Sequence, residues 1–339
     1  MNFNLTKEQE MVRQLAREFA QTEVKPLAAS IDEECRFPRE TVDKMVKYHM
    51  LGIPFPTELG GAGGDAVSYA MVVEELSKVC GTTGIIVATH TSLGANPVFQ
   101  FGTAEQKEKY LIPLAKGEKL GAFGLTEPNA GTDAAGQQTT AVLEGDNYIL
   151  NGSKIFITNG GEADIYIIFA MTDKSKGTKG ITAFIVEKEF PGFKIGKKEH
   201  KLGICASSTT ELIFENCIVP KENLLGKEGK GFGIAMATLD GGRIGVASQA
   251  LGIAQGALDE AVAYMKERKQ FGKSIAAFQG LQWMVADMEV KIQAARHLVY
   301  NAAFRKGAGL SFTKEAAMAK LYASEVAMEV TTKAVQLFG

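Results

Sequence analysis

The sequence predicts an α+β protein in three consecutive parts: a helical first third, a strand-rich middle third and a helical last third. Apolar residues recur with helical spacing up to about Lys116, the period changes toward two near Gly121, and helical spacing returns from Phe232. No long helical pattern separates the strands of the middle part, which favours an antiparallel sheet or barrel over strand–helix–strand units. The predicted domains are residues 1–119, 120–227 and 228–339.

The first part begins with a helix-start signal. Thr6 followed three residues later by Gln9 has the form of a capping box, in which each side chain bonds the backbone of the other residue. A second helix is predicted from Glu40 to Tyr48. Residues 85–93 are small and apolar on every side, a pattern that indicates burial.

The middle part carries strand patterns. Residues 148–158 alternate around Asn151 and Gly152, which predicts two strands joined by an Asn-Gly turn. Further short strands are predicted at residues 165–171, 181–186 and 211–214.

The last part predicts three long helices, over residues 232–268, 279–306 and 313–338. Ala316, Ala319 and Ala323 share one face of the third helix, a spacing typical of tightly packed helices. The sequence stops at Gly339, just after an apolar helix end. We therefore expect a truncated chain with an incomplete C-terminal helical bundle.

Composition narrows the class of function. Charged residues make up 22% of the chain, hydrophobic residues 45%, and the net charge is −2, an ordinary globular balance. We expect neither nucleic-acid nor membrane binding, because no large basic face or membrane-length apolar run stands out. The N-terminus lacks the basic and apolar stretches of a secretory signal. The cytoplasm is therefore the expected compartment, or the mitochondrial matrix in a eukaryote.

The cysteines and histidines are too scattered for a metal site. The four cysteines, Cys35, Cys80, Cys205 and Cys217, form no closely spaced pair, which favours reduced core thiols over a disulfide framework or a zinc site. The four histidines are equally dispersed. We expect no metal, so that any redox chemistry would need an organic cofactor. The Gly-rich residues 60–64 and 226–233 fit neither a P-loop nor a nicotinamide-binding fingerprint.

Residues 124–136 are the most informative segment. They read as a strand that enters a Pro-Asn-Ala-Gly turn rich in small and hydroxyl side chains. Such a loop can present backbone N–H groups and the hydroxyls of Thr126 and Thr132 to an anionic or heteroaromatic ligand. By composition alone, it could equally be a surface turn closed by Thr and Asp.

Five motifs in order along the chain resemble those of the acyl-CoA dehydrogenases: residues 124–136, 154–160, 239–243, 267–273 and 336–339. Residues 239–255 are especially similar to the short-chain, butyryl-CoA-type members. The resemblance implies a helical N-terminal domain, a central β domain and a C-terminal helical bundle. It also implies FAD as the cofactor and oxidation of fatty acyl-CoA thioesters as the activity.

The resemblance also implies site residues. Phe123 and Leu125 match positions that contact the flavin ring through backbone, and Thr126 matches a hydroxyl near flavin N5. The other implied FAD contacts are Gly131, Thr132, Phe156, Ile157 and Thr158 along the flavin, and Arg268, Phe271, Gln279, Gln336 and Gly339 from a neighbouring subunit. Thr132, Asp240 and Arg243 match positions of the CoA-substrate channel. A guanidinium such as that of Arg268 suits a diphosphate, because its planar fork makes bidentate bonds.

No catalytic base is assigned within the chain. The reaction needs a carboxylate to take the α-proton, in an apolar pocket that raises its pKa. In the family this glutamate follows the segment matching Gly339, or occupies the position matching Gly242, so we expect it beyond residue 339. Glu127 and Asp133 are expected to serve their own loop. At least one of Glu74 and Glu75 is expected to face solvent.

The predicted function is thus dehydrogenation of butyryl-CoA to crotonyl-CoA, or the reverse, by a homotetramer that exchanges electrons with an electron-transfer flavoprotein. Two alternatives stay open at this stage. One is an acyl-CoA oxidase, which differs in the access of oxygen to reduced flavin. The other is a truncated FAD- or CoA-binding scaffold without turnover, since a chain of these 339 residues would lack the base.

Overall fold

The computed structural model describes residues 4–339. Helices and strands follow the predicted order. The helices are α1 (Lys7–Phe19), α2 (Lys25–Glu33), α3 (Arg39–Lys47), α4 (Ala66–Val79), α5 (Gly81–Thr89), α6 (Asn96–Phe101), α7 (Ala104–Gln106), α8 (Ile112–Lys116), α9 (Gly231–Glu267), α10 (Gln279–Gly307) and α11 (Thr313–Phe338). The strands are β1 (Gly121–Gly124), β2 (Thr140–Glu144), β3 (Asn147–Thr158), β4 (Ile165–Met171), β5 (Ile181–Glu187), β6 (Phe193–Lys198), β7 (Thr209–Pro220), β8 (Leu224–Leu225), β9 (Lys269–Gln270) and β10 (Lys273–Ser274).

Two compact units make up the chain. One combines the chain up to Ser30 with Asp65–Ile85 and Arg243–Gly339, and we call it the helical unit. The other combines Ile31–Gly64 with Ile86–Gly242, and we call it the sheet unit. Both join segments that are distant in sequence. The three consecutive domains predicted above stay a prediction.

The helical unit is built on small residues. Its core contains alanines from α9, α10 and α11, including Ala316, Ala319 and Ala323, so the predicted tight packing of the last helix is confirmed. A Cβ atom at Gly252 or Gly256 of α9 would lie 2.4 Å from the Glu74 carbonyl oxygen or 2.0 Å from that of Lys78. Only glycine therefore lets α9 approach α4 this closely. At the start of α1, the predicted capping box between Thr6 and Gln9 is present.

The sheet unit holds an eight-stranded sheet in the order β6-β7-β3-β2-β4-β5-β8, with β1 paired to β4. The sheet is not closed, so the sheet alternative is confirmed and the barrel is wrong. It is also mixed, because β1 runs parallel to β4. Ile167 and Phe169 of β4 belong to one apolar core, whereas Tyr166 and Ile168 belong to another. Because adjacent side chains point to opposite faces, β4 is buried on both sides.

The predicted turn at Asn151 and Gly152 is wrong. β3 continues straight through both residues, and the turn lies earlier, at Gly145 and Asp146, where Gly145 has a φ of 60°. Gly152 instead forms an irregularity in the pairing with β7, with a φ of 144°. A Cβ at Gly152 would lie 2.5 Å from the Thr139 hydroxyl oxygen, so this glycine serves a bulge with close backbone approach.

Glu74 and Glu75 are both buried in the helical unit, at 0% and 2% exposure, so the expectation that one faces solvent is wrong. Arg296 and Tyr300 of α10 donate hydrogen bonds to Glu74. Arg13 and Arg17 of α1 donate to Glu75, the former at 2.8 Å. A helix with apolar neighbours can bury two adjacent carboxylates here because cations from two other helices reach them.

These cations determine the charge of Glu75. Burial would raise the pKa of the Glu75 carboxyl, but hydrogen bonds from Arg17 and Arg13 and the charge of Lys78 outweigh it and lower the pKa to about 2. The folded protein therefore holds this carboxylate ionised under conditions where the unfolded chain would protonate it.

Stability should accordingly fall in acid. Because the folded pKa of Glu75 lies below the unfolded one, its contribution is present above about pH 4.3 and is lost as the pH falls toward 2. We expect Glu75→Gln to be less stable at neutral pH and to show a shallower loss of unfolding free energy between about pH 5 and 2. Denaturant titrations over this pH range measure both effects.

Glu118→Gln is the matched control, because Glu118 is exposed and lies 3.9 Å from Lys116. It should leave both the neutral-pH stability and the acid slope unchanged. An E75Q protein with the same acid slope as the parent would contradict the assignment.

Candidate functional site

The loop after β1 is folded on itself. Glu127 and Ala130 exchange two backbone hydrogen bonds, of 3.2 and 3.1 Å, around Pro128 and Asn129. The Glu127 side chain turns back toward the start of β2, where its carboxylate accepts the N–H groups of Gln138 and Thr139. The loop therefore has a fixed shape, and Glu127 serves it structurally, as predicted.

A buried lysine lies beneath this loop. The Lys154 side chain of β3 is fully buried, and its ammonium donates to Glu127 Oε1 at 2.7 Å, to Gln137 Oε1 at 3.1 Å and to the Leu125 carbonyl oxygen at 3.1 Å. The next residue, Ile155, donates its N–H to the Thr126 carbonyl oxygen at 2.9 Å. β3 thus binds the backbone carbonyl groups of Leu125 and Thr126, which lie on either side of the Thr126 Cα atom.

The pKa shifts of Lys154 and Glu127 are those expected for a buried salt bridge. Burial lowers the pKa of Lys154 to about 8, a fall that the Glu127 carboxylate limits. Burial would raise the pKa of Glu127, but the Lys154 charge and the N–H groups of Gln138 and Thr139 lower it. A carboxylate held ionised in this way is a poor proton acceptor, so Glu127 is unsuited to the role of catalytic base.

β3 bulges directly after Lys154. The pairing with β7 shifts between Lys154 and Ile157, and Phe156 has a φ of 60°. This left-handed conformation is rare for an aromatic residue and strains the backbone. Yet the Phe156 side chain is 60% exposed. A strained turn of the strand that directs an aromatic ring outward is a feature found beside ligand sites.

Asn159, which follows the bulged end of β3, is also held in place. Asn159 has a φ of 63°, and its buried amide donates to the carbonyl oxygens of Ile86 and Gly121 at 3.2 and 3.4 Å. The four residues between Lys154 and Asn159 are therefore held by a buried polar side chain at each end.

Two hydroxyl residues belong to the two segments that the bond from the Ile155 N–H to the Thr126 carbonyl oxygen joins. Thr126 and Thr158 are half-buried, and within residues 4–339 neither hydroxyl has a hydrogen-bond partner. Phe123 and Leu125 turn their side chains into the core, and β1 is paired by a strand on one side only. The backbone of β1, the two hydroxyls and the Phe156 ring together suit a planar heteroaromatic ligand with hydrogen-bonding edges. These residues fit a flavin.

The other predicted cofactor contacts in the loop after β1 are accessible to a ligand. Gly131 and Thr132 are exposed, and a Cβ at Gly131 would have no atom within 4 Å. Ile157 is buried at 2% exposure and belongs to the core between the strands, so its side chain is turned away from the open side. Only its backbone is available for the predicted contact.

A second predicted group lies in the helical unit, around the β9–β10 hairpin. Phe271 and Gly272 form its turn with φ values of 52° and 76°, and the Phe271 side chain is 92% exposed. Arg268 precedes the hairpin, is exposed, and its guanidinium has no partner among residues 4–339. Gln279 is the exposed first residue of α10. The structure thus groups an unengaged guanidinium with an exposed ring, which suits a diphosphate-bearing ligand.

The end of α11 belongs to the same neighbourhood. The Phe338 ring lies 4.6 Å from that of Tyr264, whose carbonyl oxygen accepts the Arg268 N–H at 2.8 Å. Gln336 and Gly339 beside Phe338 are exposed. The predicted FAD contacts therefore form two groups, one in each compact unit, and their roles stay predictions.

Asp240 and Arg243 lie half-buried one turn apart on α9. Both make interactions of their own. At Gly242 of the same turn, a Cβ would lie 2.7 Å from Leu93 Cδ2. The space that a base at this position would need is thus taken by Leu93. The channel roles of Asp240 and Arg243 stay predictions.

The structure adds three residues to which the sequence analysis gave no role: Lys154, Gln137 and Asn159. The structural role of Lys154 could have been predicted from the alternation of inward-facing residues along β3. It lies at an inward-facing position of β3, two residues after Gly152 and four after the buried Leu150. A lysine at such a position must meet a carboxylate, because an unpaired buried charge is too costly.

The bulged strand, the two hydroxyls and the exposed ring fit a flavin-binding protein, and the comparisons with known proteins identify the family. Three family profiles match in order: the acyl-CoA dehydrogenase N-terminal domain at residues 6–118, middle domain at 122–217 and C-terminal domain at 229–339. The chain belongs to the acyl-CoA dehydrogenase family. Members of this family bind FAD, so the predicted cofactor is confirmed.

Two similar proteins have names that specify a short-chain or butyryl-CoA substrate. A relative from Clostridium acetobutylicum, "Acyl-CoA dehydrogenase, short-chain specific", is 70% identical over 339 residues, which are 100% of this chain and 89% of the relative. Butyryl-CoA dehydrogenase from Megasphaera elsdenii superimposes with a TM-score of 0.98 at 56% identity, covering 100% of this chain and 90% of that chain.

A further solved structure comes from work on the electron transferring flavoprotein of Acidaminococcus fermentans and flavin-based electron bifurcation. It matches with a TM-score of 0.99 at 62% identity, over 100% of this chain and 89% of that chain. Among residues 4–339, no helix is long and apolar enough to cross a membrane.

Removal of the buried lysine should destabilise the protein severely. Lys154→Met leaves the Glu127 carboxylate buried without its cation, and we expect a loss of about 3–5 kcal/mol of unfolding free energy. Chemical denaturation of the purified variant measures this loss.

Lys188→Met is the control, because Lys188 is half-buried and donates one hydrogen bond, to the Gly161 carbonyl oxygen at 3.2 Å. We expect about 1 kcal/mol or less there. The double variant K154M/E127Q should recover part of the K154M loss. Equal losses for Lys154→Met and Lys188→Met would refute the buried-pair interpretation.

Proposed function

We propose that this protein is an FAD-dependent dehydrogenase of short-chain acyl-CoA thioesters that interconverts butyryl-CoA and crotonyl-CoA. One observation carries the proposal: within residues 4–339, the hydroxyls of Thr126 and Thr158 have no hydrogen-bond partner in the segments next to the strained, exposed Phe156, in a chain of the acyl-CoA dehydrogenase family. The short-chain preference is supported by the names of its relatives from C. acetobutylicum and M. elsdenii.

The residues of the sheet unit have distinct roles in this proposal. The Phe156 ring would pack along the flavin, while the Thr126 and Thr158 hydroxyls would donate hydrogen bonds to its polar edge. When bound, FAD supplies the acceptor for the hydride that leaves the β-carbon of the thioester. Donors fixed before the reaction stabilise the charge that develops there without having to reorganise. Lys154 and Asn159 keep this segment in place.

The helical unit would contribute to cofactor binding through the Arg268 guanidinium, which is free to make a bidentate contact with the FAD diphosphate. Phe271 and Gln279 would contact the adenosine part, and Gln336 and Gly339 a further part of the cofactor. These contacts are proposed to reach FAD of a neighbouring subunit. Asp240 and Arg243 would line the CoA-substrate channel together with Thr132.

Three of the carboxylates weighed as catalytic base are paired with other side chains. Glu127 is paired with Lys154, Glu74 with Arg296 and Tyr300, and Glu75 with Arg13 and its neighbours. A base needs a pKa near working pH, whereas the cations beside Glu127 and Glu75 lower the pKa of these two carboxyls. We propose that none of the three takes the α-proton. The assignment of the base to a glutamate outside these residues stays a prediction.

We propose a homotetramer that exchanges electrons with an electron-transfer flavoprotein. The tetramer is typical of the family. It is supported by an exposed apolar stripe on α11, formed by Met318, Leu321, Met328 and Val335 at 45–70% exposure. The spacing of three and seven residues places them on one helix face, a pattern typical of helix–helix interfaces. The electron partner is supported by the flavoprotein work on the A. fermentans structure.

For the compartment we propose the cytoplasm, or the mitochondrial matrix in a eukaryotic cell. The support is the family membership and the CoA thioester substrate. Direct localisation of the tagged protein would check it.

The function is tested by anaerobic titration of the FAD-loaded natural protein, because the predicted base lies beyond residue 339. We expect butyryl-CoA to bleach the visible flavin absorbance, and to do so faster than long-chain acyl-CoA. Re-oxidation by crotonyl-CoA would show the reverse direction. A non-catalytic scaffold would shift the flavin spectrum on binding the thioester but never bleach it. Rapid re-oxidation by oxygen would favour the oxidase instead. Protein that stays colourless and takes up no FAD would overturn the assignment.

Arg268→Ala should weaken FAD retention roughly tenfold or more, because a charge-assisted bidentate contact would be lost. The dissociation constant of FAD from the apoprotein measures the effect. Lys266→Ala is the control, since Lys266 is exposed two residues earlier on α9. Unchanged FAD affinity in the Arg268 variant would contradict the proposed contact.

A further inference from the structure

Two cysteines that are distant in sequence meet at the surface of the sheet unit. Cys35 lies just after α2, and Cys205 lies in the loop between β6 and β7. Both are half-buried and free, whereas Cys80 and Cys217 are buried. The expectation that all four are core thiols is therefore wrong for this pair, because the fold brings two surface loops together.

Asp32 links the two loops. Its Oδ1 atom accepts the Cys205 N–H at 3.2 Å across 173 positions of sequence, and its carbonyl oxygen accepts the Cys35 thiol at 3.7 Å. A third contact comes from Lys198 of β6, whose ammonium donates to the Cys35 carbonyl oxygen at 2.8 Å. The backbones of Cys35 and Cys205 are thus held against the same residue.

Desolvation raises the pKa of the Cys205 thiol, and the neighbouring Cys35 thiol raises it further. The Cys205 thiol additionally donates to the Lys201 carbonyl oxygen at 3.3 Å.

The backbone at both positions is unusual. Cys35 has a φ of 51°, and Ile204, next to Cys205, has a φ of 54°. Left-handed conformations at residues other than glycine persist only where the surroundings enforce them.

We propose that Cys35 and Cys205 form a reversible intramolecular disulfide when the protein meets a peroxide. The Cys35 thiolate attacks hydrogen peroxide, and the O–O bond breaks to give a sulfenic acid and one water. The Cys205 thiol then displaces the sulfenic oxygen, the S–S bond forms, and a second water leaves. In sum, two thiols are oxidised to a disulfide while one peroxide is reduced to two waters. A small thiol reductant reverses the change.

The cross-link would tie the end of α2 to the loop before β7. Because it closes a long stretch of chain, the oxidised protein should unfold at a higher temperature than the reduced protein, by several degrees. The site uses none of the residues proposed to bind FAD, so its test is independent of the proposed function.

The experiment treats FAD-loaded protein with hydrogen peroxide under non-denaturing conditions. We expect the intact mass to fall by two hydrogens and the free thiols, counted after unfolding, to fall from four to two. Peptide mapping should show a Cys35–Cys205 link, and dithiothreitol should restore the starting mass and four thiols. Cys35→Ser and Cys205→Ser should each abolish the link, whereas Cys80→Ser and Cys217→Ser should keep it.

Other outcomes overturn the proposal. These are a disulfide between different cysteines, a covalent dimer that forms in place of the internal link, or oxygen added to single cysteines without any link. Should a serine variant fold poorly, alkylation decides: peroxide should protect both Cys35 and Cys205 from iodoacetamide in the parent protein. Unchanged alkylation of either cysteine would equally overturn the proposal.

Discussion

The buried ion pair between Lys154 and Glu127 is the constraint on which the candidate site depends. A lysine ammonium at 0% exposure is stable only where acceptors surround it, and here a carboxylate, an amide oxygen and a backbone carbonyl do so. All three of these acceptors belong to the connection between β1 and β2. The strand and the loop therefore cannot move independently, and the loop keeps one shape before any ligand arrives.

This constraint explains why strain is tolerated next to it. The bulge at Phe156 lies between two anchored residues, Lys154 and Asn159, so the left-handed backbone is enforced from both sides. Among residues 4–339, the hydroxyls of Thr126 and Thr158 have no hydrogen-bond partner. Rigidity and unsatisfied hydrogen-bonding groups at one place are what a preorganised cofactor site requires. Because the chain belongs to the acyl-CoA dehydrogenase family, the cofactor expected at this arrangement is FAD.

The helical unit follows a different principle. Glycines and alanines bring α9 close to α4, and the side chains of Glu74 and Glu75 on α4 are buried. Arginines from α1 and α10 compensate both charges, so distant segments are joined by buried ion pairs. Glu74 and Glu75, which the sequence offers as candidate catalytic bases, thus have a structural role. The proposed disulfide site belongs to the sheet unit and shows the same effect, because the fold pairs Cys35 with Cys205 at its surface.

The sequence alone determined the order of helices and strands, the Thr6 capping box, the three long C-terminal helices and the family, since each depends on local patterns or contiguous motifs. Only the tertiary structure decided that Gly152 forms a bulge and no turn, that Glu74 and Glu75 are buried, and that Lys154 supports the loop of Thr126. Each of these depends on a partner far along the chain: Thr139 for Gly152, Arg296 for Glu74 and Glu127 for Lys154. Local periodicity carries no information about such partners, because it reports which face of an element is apolar and not what that face meets.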